Sequence, residues 1–375
     1  MAFTEAQFNG FFDADGSIRL GVNVRKSSKT ENYKISFQVD FCITQVSKNK
    51  DILDETINLF KLKRRVASTK RKNNLIEFKL IVPSRTTDGQ ILINHFNRNN
   101  PILPSRRRDY FIAVKMLGIL GIKRRVLSTI NKVFLTYLCY GNSSQITTSS
   151  VIKKEPIDII FQKLNITAAE QEAGKKLAFE FLTDLELKLK NYKDSLNQII
   201  LSKEYMVGFY IGDGTLGVSF QHNKLLKTAS LGFYWGIVDP DKEFLTCFKK
   251  SINCGRIAGA GKIPGNCYEL SVTIIREINK KILPILDTSY LPSGRKKQLD
   301  TFKQIVSLET NPTLRLESNN WEKIIDLAFS MSFNSGRKYS KEELLILGNR
   351  RIENIKNKNS NIKNNKFIIK KPIEI

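Results

Sequence analysis

The chain has 375 residues, with 61 Lys and Arg against 36 Asp and Glu, a formal net charge of +25. At about 150 residues per domain this is two domains with connecting segments, and a cationic surplus of that size disfavours a compact chain unless a polyanion neutralises part of it, which makes nucleic acid the leading partner. Cys42, Cys139, Cys247, Cys254 and Cys267 form no CxxC pair and read as reduced, buried thiols; His95 and His222 alone exclude zinc-finger spacing; and no apolar run approaches the roughly twenty residues that span a bilayer.

The chain enters a helix almost at once, because Thr4 with Gln7 fits a capping box, and this leaves no room for a cleaved targeting peptide. That helix runs through FNGFFDADG (Phe8 to Gly16). SIRLGVNVR follows and alternates apolar with polar residues as a half-exposed strand does, and FQVDFCITQ (Phe37 to Gln45) alternates likewise. KDILDETINLF reads as a helix, RRVASTK and IEFKLIV as strands, and a further helix closes the unit before LPSRRRDYF. The first repeat is expected over 1–126.

From 127 to 202 the chain reads as a partly helical linker, including AAEQEAGKKLAFEFLTDLELKLKNYK, whose expected role is covalent tethering, with a second DNA contact as the alternative. Ser202 is then an N-cap for a second helix ending in MVGFYIGDG (Met206 to Gly214), and the whole order recurs. TLGVSFQHN, LGFYWGIV (Leu231 to Val238), the helix DKEFLTCFKKSI, GRIAGAG, YELSVTI and LPSGRKKQL complete a second repeat over 203–333. The last stretch, 334–375, is a basic tail whose KNKNSNIKNNK is too polar to bury much surface, expected to be mobile or to fold on DNA. The predicted fold class is α+β, with two pseudo-symmetric αββαββα repeats.

Asp213 lies 198 residues (213 − 15) after Asp15. Gly10 and Ala14, like Gly208 and Gly212, are small residues four apart on one helical face, so the economical packing sets one motif helix against the other and brings Asp15 and Asp213 together. Gly16 and Gly214 then let the chain turn into a strand. Two carboxylates so placed repel unless a divalent cation sits between them. Mg²⁺ is the natural choice, being hard, oxygen-seeking and readily shared between carboxylates and phosphate oxygens; such ions activate water and stabilise the leaving oxygen of a phosphodiester.

FNGFFDADG and MVGFYIGDG resemble the two motifs of single-chain LAGLIDADG homing endonucleases, over most of residues 1 to 310. The resemblance implies two twisted antiparallel sheets forming a DNA-binding saddle, with the motif helices packed at the interface between repeats. It implies a monomer that cuts both strands of a long, asymmetric double-stranded DNA target and leaves staggered ends. Mg²⁺ would serve as cofactor, Mn²⁺ as a substitute, and Ca²⁺ would support binding without cleavage. The last acid of each motif would be the metal ligand, which carries over to Asp15 and Asp213; the backbone carbonyls completing the coordination are left unassigned. The second motif departs at Ile211, which stands opposite Asp13.

Other site positions carry over with departures. Gln45 in FCITQ stands where the family places a polar residue that orders water near the cut, and Ile237 is taken as its counterpart. The family's basic residue after the last strand and helix falls on Arg106 in LPSRRRDYF and on Lys296 or Lys297 in LPSGRKKQL. An Arg there cannot donate a proton, so the two half-sites are expected to be chemically unequal.

A twisted two-stranded ribbon fits the major groove, so the polar sheet faces are expected to read DNA. In the first repeat that face is assigned Ser17, Arg19, Asn23, Arg25, Gln38, Asp40, Thr44, Ser68, Lys70, Glu77 and Lys79; in the second, Ser219, Gln221, Asn223, Ser230, Tyr234, Arg256, Glu269 and Ser271. The clusters KLKRR, TKRKNN, SRRR and IKRRV would contact phosphates, and binding would weaken steeply with salt. The alternatives are an intron-RNA maturase on the same scaffold and a nuclease-dead DNA-binding regulator. Abundant Asn, Lys and Ile suggest an AT-rich coding genome and, with the resemblance, an organelle-encoded protein, mitochondrial or chloroplast.

Overall fold

A computed structural model describes residues 1–26, 32–70, 76–121, 126–141, 156–259, 267–331 and 339–368. The basic clusters at 71–74 and 122–125 and the last residues of the tail, 369–375, lie outside the described residues. The first repeat opens with α1 (Glu5–Asp15), entered through a complete Thr4–Gln7 capping box, and continues with β1 (Gly16–Lys26) and β2 (Tyr33–Val46). After a 3-10 turn at Ser47–Asn49 come α2 (Asp51–Phe60), β3 (Ala67–Lys70), β4 (Ile76–Pro83), α3 (Thr87–Arg98) and α4 (Pro104–Leu120). α2 ends where Lys61 takes a left-handed conformation (φ 51°). α4 starts on Pro104, whose missing N–H has no helical partner to lose at that position.

The middle of the chain holds α5 (Thr129–Gly141), α6 (Ile157–Lys163) and α7 (Ala168–Leu196). The second repeat follows as α8 (Lys203–Asp213), β5 (Gly214–Asn223), β6 (Thr228–Asp239), α9 (Lys242–Ile252), β7 (Arg256–Gly259) and β8 (Tyr268–Val272). A short α10 (Ile275–Glu277), a π turn (Ile278–Ile282) and α11 (Leu283–Asp287) lead to α12 (Ser293–Thr310), α13 (Ser318–Met331) and α14 (Lys341–Ile368). The strands form two antiparallel four-stranded sheets with matching orders, β1-β2-β4-β3 and β5-β6-β8-β7.

Each sheet turns one face to the helices. Ile18, Phe37, Val39, Phe41, Ile43, Leu80 and Val82 are buried against α1 and its neighbours, and Leu216, Phe233, Trp235, Ile237, Leu270 and Val272 are their counterparts. One continuous core runs from the first repeat through the motif helices into the second, so the repeats are two halves of one body.

Two expectations need correction. The segment 127–202 does more than tether. α5 packs on β1 and on α7, and Val133, Ile160, Phe161 and Ile166 form a small core under the outer parts of β1 and β2, with Val22, Val24 and Ile35. α7 runs across both repeats, touching α4 and α9, and buries Leu185, Leu189 and Leu196. The tail likewise starts as packed structure. α14 lies on β6 and α13, with Leu344 and Ile352 buried, and Trp321 Nε1 donates to Leu344 O at 2.9 Å. The reason is an apolar stripe (Leu344, Leu345, Leu347, Ile352) ahead of KNKNSNIKNNK, which composition averaged over the whole tail hides.

Candidate active site and nucleic-acid interface

α1 and α8 approach so closely that a Cβ at Gly10 would lie 1.9 Å from Tyr205 O, and one at Gly208 would lie 1.9 Å from Gln7 O. These are one contact made twice across a pseudo-twofold axis, since both pairs differ by the 198-residue repeat spacing. Further along, a Cβ at Gly212 would meet Ala14 Cβ at 2.5 Å and Asp15 Cγ at 3.3 Å. Any side chain larger than hydrogen here would force the backbones apart. The small residues thus deliver Asp15 and Asp213 side by side at the C-terminal ends of the paired helices.

That position is hostile to negative charge. Burial, then the neighbouring Asp213 carboxylate, pushes the Asp15 carboxyl up to about 7. Asp213 is exposed to solvent, yet the protein packed around it still raises its carboxyl to about 6. Helix C-termini add their own partial negative charge.

Two arginines oppose this. Arg106 Nε donates to Asp13 O at 3.1 Å and its Nη2 to Ala14 O at 3.3 Å. Arg295 Nε and Nη2 donate to Ile211 O at 3.3 and 3.1 Å, and Nη2 also to Gly212 O at 3.3 Å. Each guanidinium therefore satisfies last-turn carbonyls of its own repeat's motif helix. Arg295, rather than the expected Lys296 or Lys297, is the partner of Arg106: both are the third residue of their helices, after N-caps Leu103 and Pro292. Lys296 and Lys297 are exposed on the outer face of α12. Aligning the strings from Leu-Pro-Ser sets Arg106 opposite Gly294, and helix phase supplies the true match.

Gln45 is buried and donates through Nε2 to Asp15 Oδ2; its Oε1 accepts from Asn49 Nδ2 at 3.3 Å. Asn49, which sequence reasoning missed, thus fixes which end of the Gln45 amide faces the acid. The counterpart of Gln45 is not Ile237. Gly16 pairs with Ile43 and Gly214 with Ile237, so Ile43 and Ile237 are equivalent core residues and Gln45 corresponds to Asp239. Asp239 is buried and accepts from Asp241 N at 2.7 Å. Burial foremost, with Asp241 and Asp213 adding repulsion, raises its carboxyl to about 7.

Asp13 has a different task from Asp15. Its Oδ2 accepts from Ile102 N (2.8 Å), Leu103 N (3.0 Å) and Tyr205 Oη (2.7 Å), so it holds the start of α4 and a tyrosine of the other repeat's motif helix. Complete burial nevertheless raises it to about 6. With Ile211 in its place, the second repeat lacks this anchor, and Gln7 Nε2 donates instead to Tyr290 O at 3.0 Å. α7 reinforces the same corner: Tyr192 Oη donates to Ile102 O at 2.9 Å and carries the Arg107 guanidinium 3.9 Å from its ring centre.

The pairing register puts Ser17, Arg19, Asn23, Arg25, Gln38, Asp40, Thr44, Glu77 and Lys79 on the face of the first sheet away from the helices. Ser68 and Lys70 do not belong there. Glu77 pairs with Thr69 and Lys79 with Ala67, so Ser68 and Lys70 point to the opposite side of β3, and Thr69 takes their place. In the second sheet Ser219, Gln221, Asn223, Ser230, Tyr234, Arg256, Glu269 and Ser271 all share one face. These faces carry their own networks. Gln38 Nε2 donates to Asp40 Oδ2, Lys79 Nζ lies 3.3 Å from Glu77, and Tyr234 Oη donates to Glu269.

Among the described residues no cluster of three or more His, Cys, Asp or Glu side chains could hold a metal ion. Asp15 and Asp213 are the two carboxylates that the paired helices bring together, and as hard oxygen donors they fit a divalent ion shared with phosphate and water. Their raised pKa values show an acid pair that a cation would relieve. No helix of the described residues is long and apolar enough to cross a membrane.

Residues 8–117 match the family model described as LAGLIDADG endonuclease. No curated protein sequence matches the chain. Among solved structures, I-SmaMI bound to an uncleaved DNA target in the presence of calcium ions is similar with TM-score 0.62 at 17% identity, over 88% of this chain and 98% of that one. The LAGLIDADG homing endonuclease I-GzeII in complex with its DNA target gives 0.59 at 18% identity, over 90% and 100% of the two chains. The homing endonuclease I-LtrWI bound to target DNA gives 0.60 at 18%, over 89% and 98%. Residues 8–117 are accordingly similar to the LAGLIDADG endonuclease family, and the whole chain shares the two-repeat α+β fold of these homing-endonuclease structures.

Proposed function

We propose that this protein is a site-specific endonuclease that hydrolyses both strands of a long double-stranded DNA target, with divalent metal held by Asp15 and Asp213. The observation that carries the reading is the apposition of the two acids, at the end of paired helices, between two sheets whose polar faces lie away from the core. A single chain supplies both half-sites, so it acts as a monomer. The three relatives are described with DNA, which favours DNA over intron RNA as the substrate.

When bound, Mg²⁺ supplies charge to lower the pKa of water and to stabilise the leaving oxygen; Mn²⁺ would substitute, and Ca²⁺ would support binding alone. The chain's own groups do the rest. Asp15 and Asp213 would hold the cation, their side chains lying side by side at the ends of the paired helices. Gln45, oriented by Asn49, holds Asp15 in place and presents its amide beside the water that attacks. Arg106 and Arg295 hold the acid-bearing helix ends together and place positive charge beside the phosphates. The outward sheet faces read base edges, while KLKRR positions the duplex; the SRRR arginines are turned inward instead, Arg106 to helix carbonyls, Arg107 to Tyr192 and Arg108 to Glu186.

The test is incubation of purified protein with a library of double-stranded sequences in Mg²⁺ or in Ca²⁺, followed by sequencing of ends. Staggered cuts at one sequence in Mg²⁺, with binding only in Ca²⁺, are expected. Binding without cutting in any divalent metal would turn the reading to a DNA-binding regulator.

A further inference from the structure

Arg106 and Arg295 leave one chemical role unfilled. Both guanidiniums are committed to helix carbonyls, and a guanidinium keeps its proton at any working pH. The leaving oxygen of a cut phosphodiester is stabilised by a proton donor as well as by charge.

Lys48 stands three residues past Gln45, in the 3-10 turn Ser47–Asn49. The second repeat clamps that turn. Ser293 N donates to Asp51 Oδ2 at 2.6 Å and Ser293 Oγ to Lys48 O at 3.5 Å. A Cβ at Gly294 would lie 2.7 Å from Lys48 O and 3.2 Å from Lys48 Cβ. Lys48 thus springs from the turn that carries the Asn49–Gln45–Asp15 chain of hydrogen bonds, against the helix start that carries Arg295. Partial burial and the Arg295 charge pull its ammonium below the ordinary lysine value, which makes it a readier proton donor than an ordinary lysine. The residue is nevertheless exposed, so DNA can reach it.

The second repeat is built differently at this point. Pro240 and Asp241 replace the 3-10 turn, and Lys242, three residues past Asp239, is the first residue of α9, with Nζ 5.6 Å from the centre of the Tyr268 ring.

We propose that Lys48 is a catalytic residue of the Asp15 half-site, contacting the scissile phosphate and giving a proton to the leaving oxygen, and that the Asp213 half-site works without such a donor. In the step, a water oxygen bonds to phosphorus and the P–O ester bond breaks with its electron pair on the leaving oxygen. That oxygen takes a proton from Lys48 Nζ, the attacking water loses one to solvent, and Lys48 is reprotonated from solvent. The proposal rests on the endonuclease reading above.

The experiment follows each strand of a cleavable target separately, with Lys48→Met, Lys48→Arg and Lys242→Met, and measures binding in Ca²⁺. Lys48→Met is expected to slow one strand by about 10²-fold or more and to accumulate nicked DNA, with binding near that of the unaltered protein. Lys48→Arg should restore charge and remove the fall in that strand's rate at high pH; Lys242→Met should change neither strand. Equal cutting of both strands by Lys48→Met, or loss of binding in proportion to cutting, overturns the assignment while leaving the endonuclease reading intact. No cutting by the unaltered protein overturns both. Should Lys48→Met not fold, an unchanged high-pH limb in Lys48→Arg overturns the proposal.

Discussion

Arg295, which enters on the second repeat, is the strongest cationic influence on Asp15, which the first repeat carries; Arg106 in turn is the leading cation on Asp213. Each arginine therefore braces its own motif helix through backbone carbonyls, and each is the leading cation on the other repeat's acid. Arg295→Ala should slow the strand cut at the Asp15 half-site more than the other, by about 10- to 100-fold, and Arg106→Ala should do the reverse. Strand-resolved nicking rates check this; equal slowing of both strands by either variant would contradict the exchange.

The acid cluster sets a pH dependence whose sign follows from its raised pKa values. Asp13, Asp15, Asp213 and Asp239 are raised from 3.8 to about 6, 7, 6 and 7. The folded protein thus binds protons more tightly than the unfolded chain, so their contribution is most favourable below about pH 4 and is lost as pH rises through 6 to 7. Metal-free protein should melt at higher temperature at pH 5.5 than at pH 8, as far as these groups decide it. Asp15→Asn should raise metal-free stability at pH 8 by roughly 1–4 kcal/mol. Thermal melts with and without chelator test both statements.

Close packing of α1 on α8 leaves no room at its glycines. Gly10→Ala and Gly208→Ala each place a methyl 1.9 Å from a backbone oxygen and should destabilise by about 3 kcal/mol or more. Gly118→Ala, in the interior of α4 with nothing within 4 Å, should instead stabilise by about 0.5–1 kcal/mol. Denaturant midpoints of the three variants make the comparison.

α14 covers the outer part of the second sheet. Ending the chain before Lys341 would expose Trp321, whose indole packs on Phe220 and donates to Leu344 O. A red-shifted tryptophan emission and a lower unfolding midpoint are expected; an unchanged midpoint would show the helix to be a dispensable addition.

The repeat was plain in the sequence because its marks are local: an Asp-Gly after small residues four apart, then alternating strands. What local pattern could not show is phase. Counting along similar strings sets Gln45 opposite Ile237, whereas pairing with Gly214 moves the match two residues on, to Asp239, on the same face of the strand. Ser68 and Lys70 miss by a single residue, which does reverse the face: they are polar residues on the other side of a four-residue strand. Lys296 and Lys297 carry the lysine that the family resemblance implies, whereas the third position of α12 belongs to Arg295. Asn49 and Tyr205 act through partners that only the folded chain brings near, 4 and 192 residues away along the sequence.

The central claim is that Asp15 and Asp213 together hold the metal that cuts DNA. The most direct measurement compares unaltered protein with Asp15→Asn and Asp213→Asn on one cleavable target, scoring binding in Ca²⁺ and cutting in Mg²⁺. Binding within a few-fold of the unaltered protein, with double-strand cutting lost in both variants, is the expected result; full cutting by either variant would contradict the account.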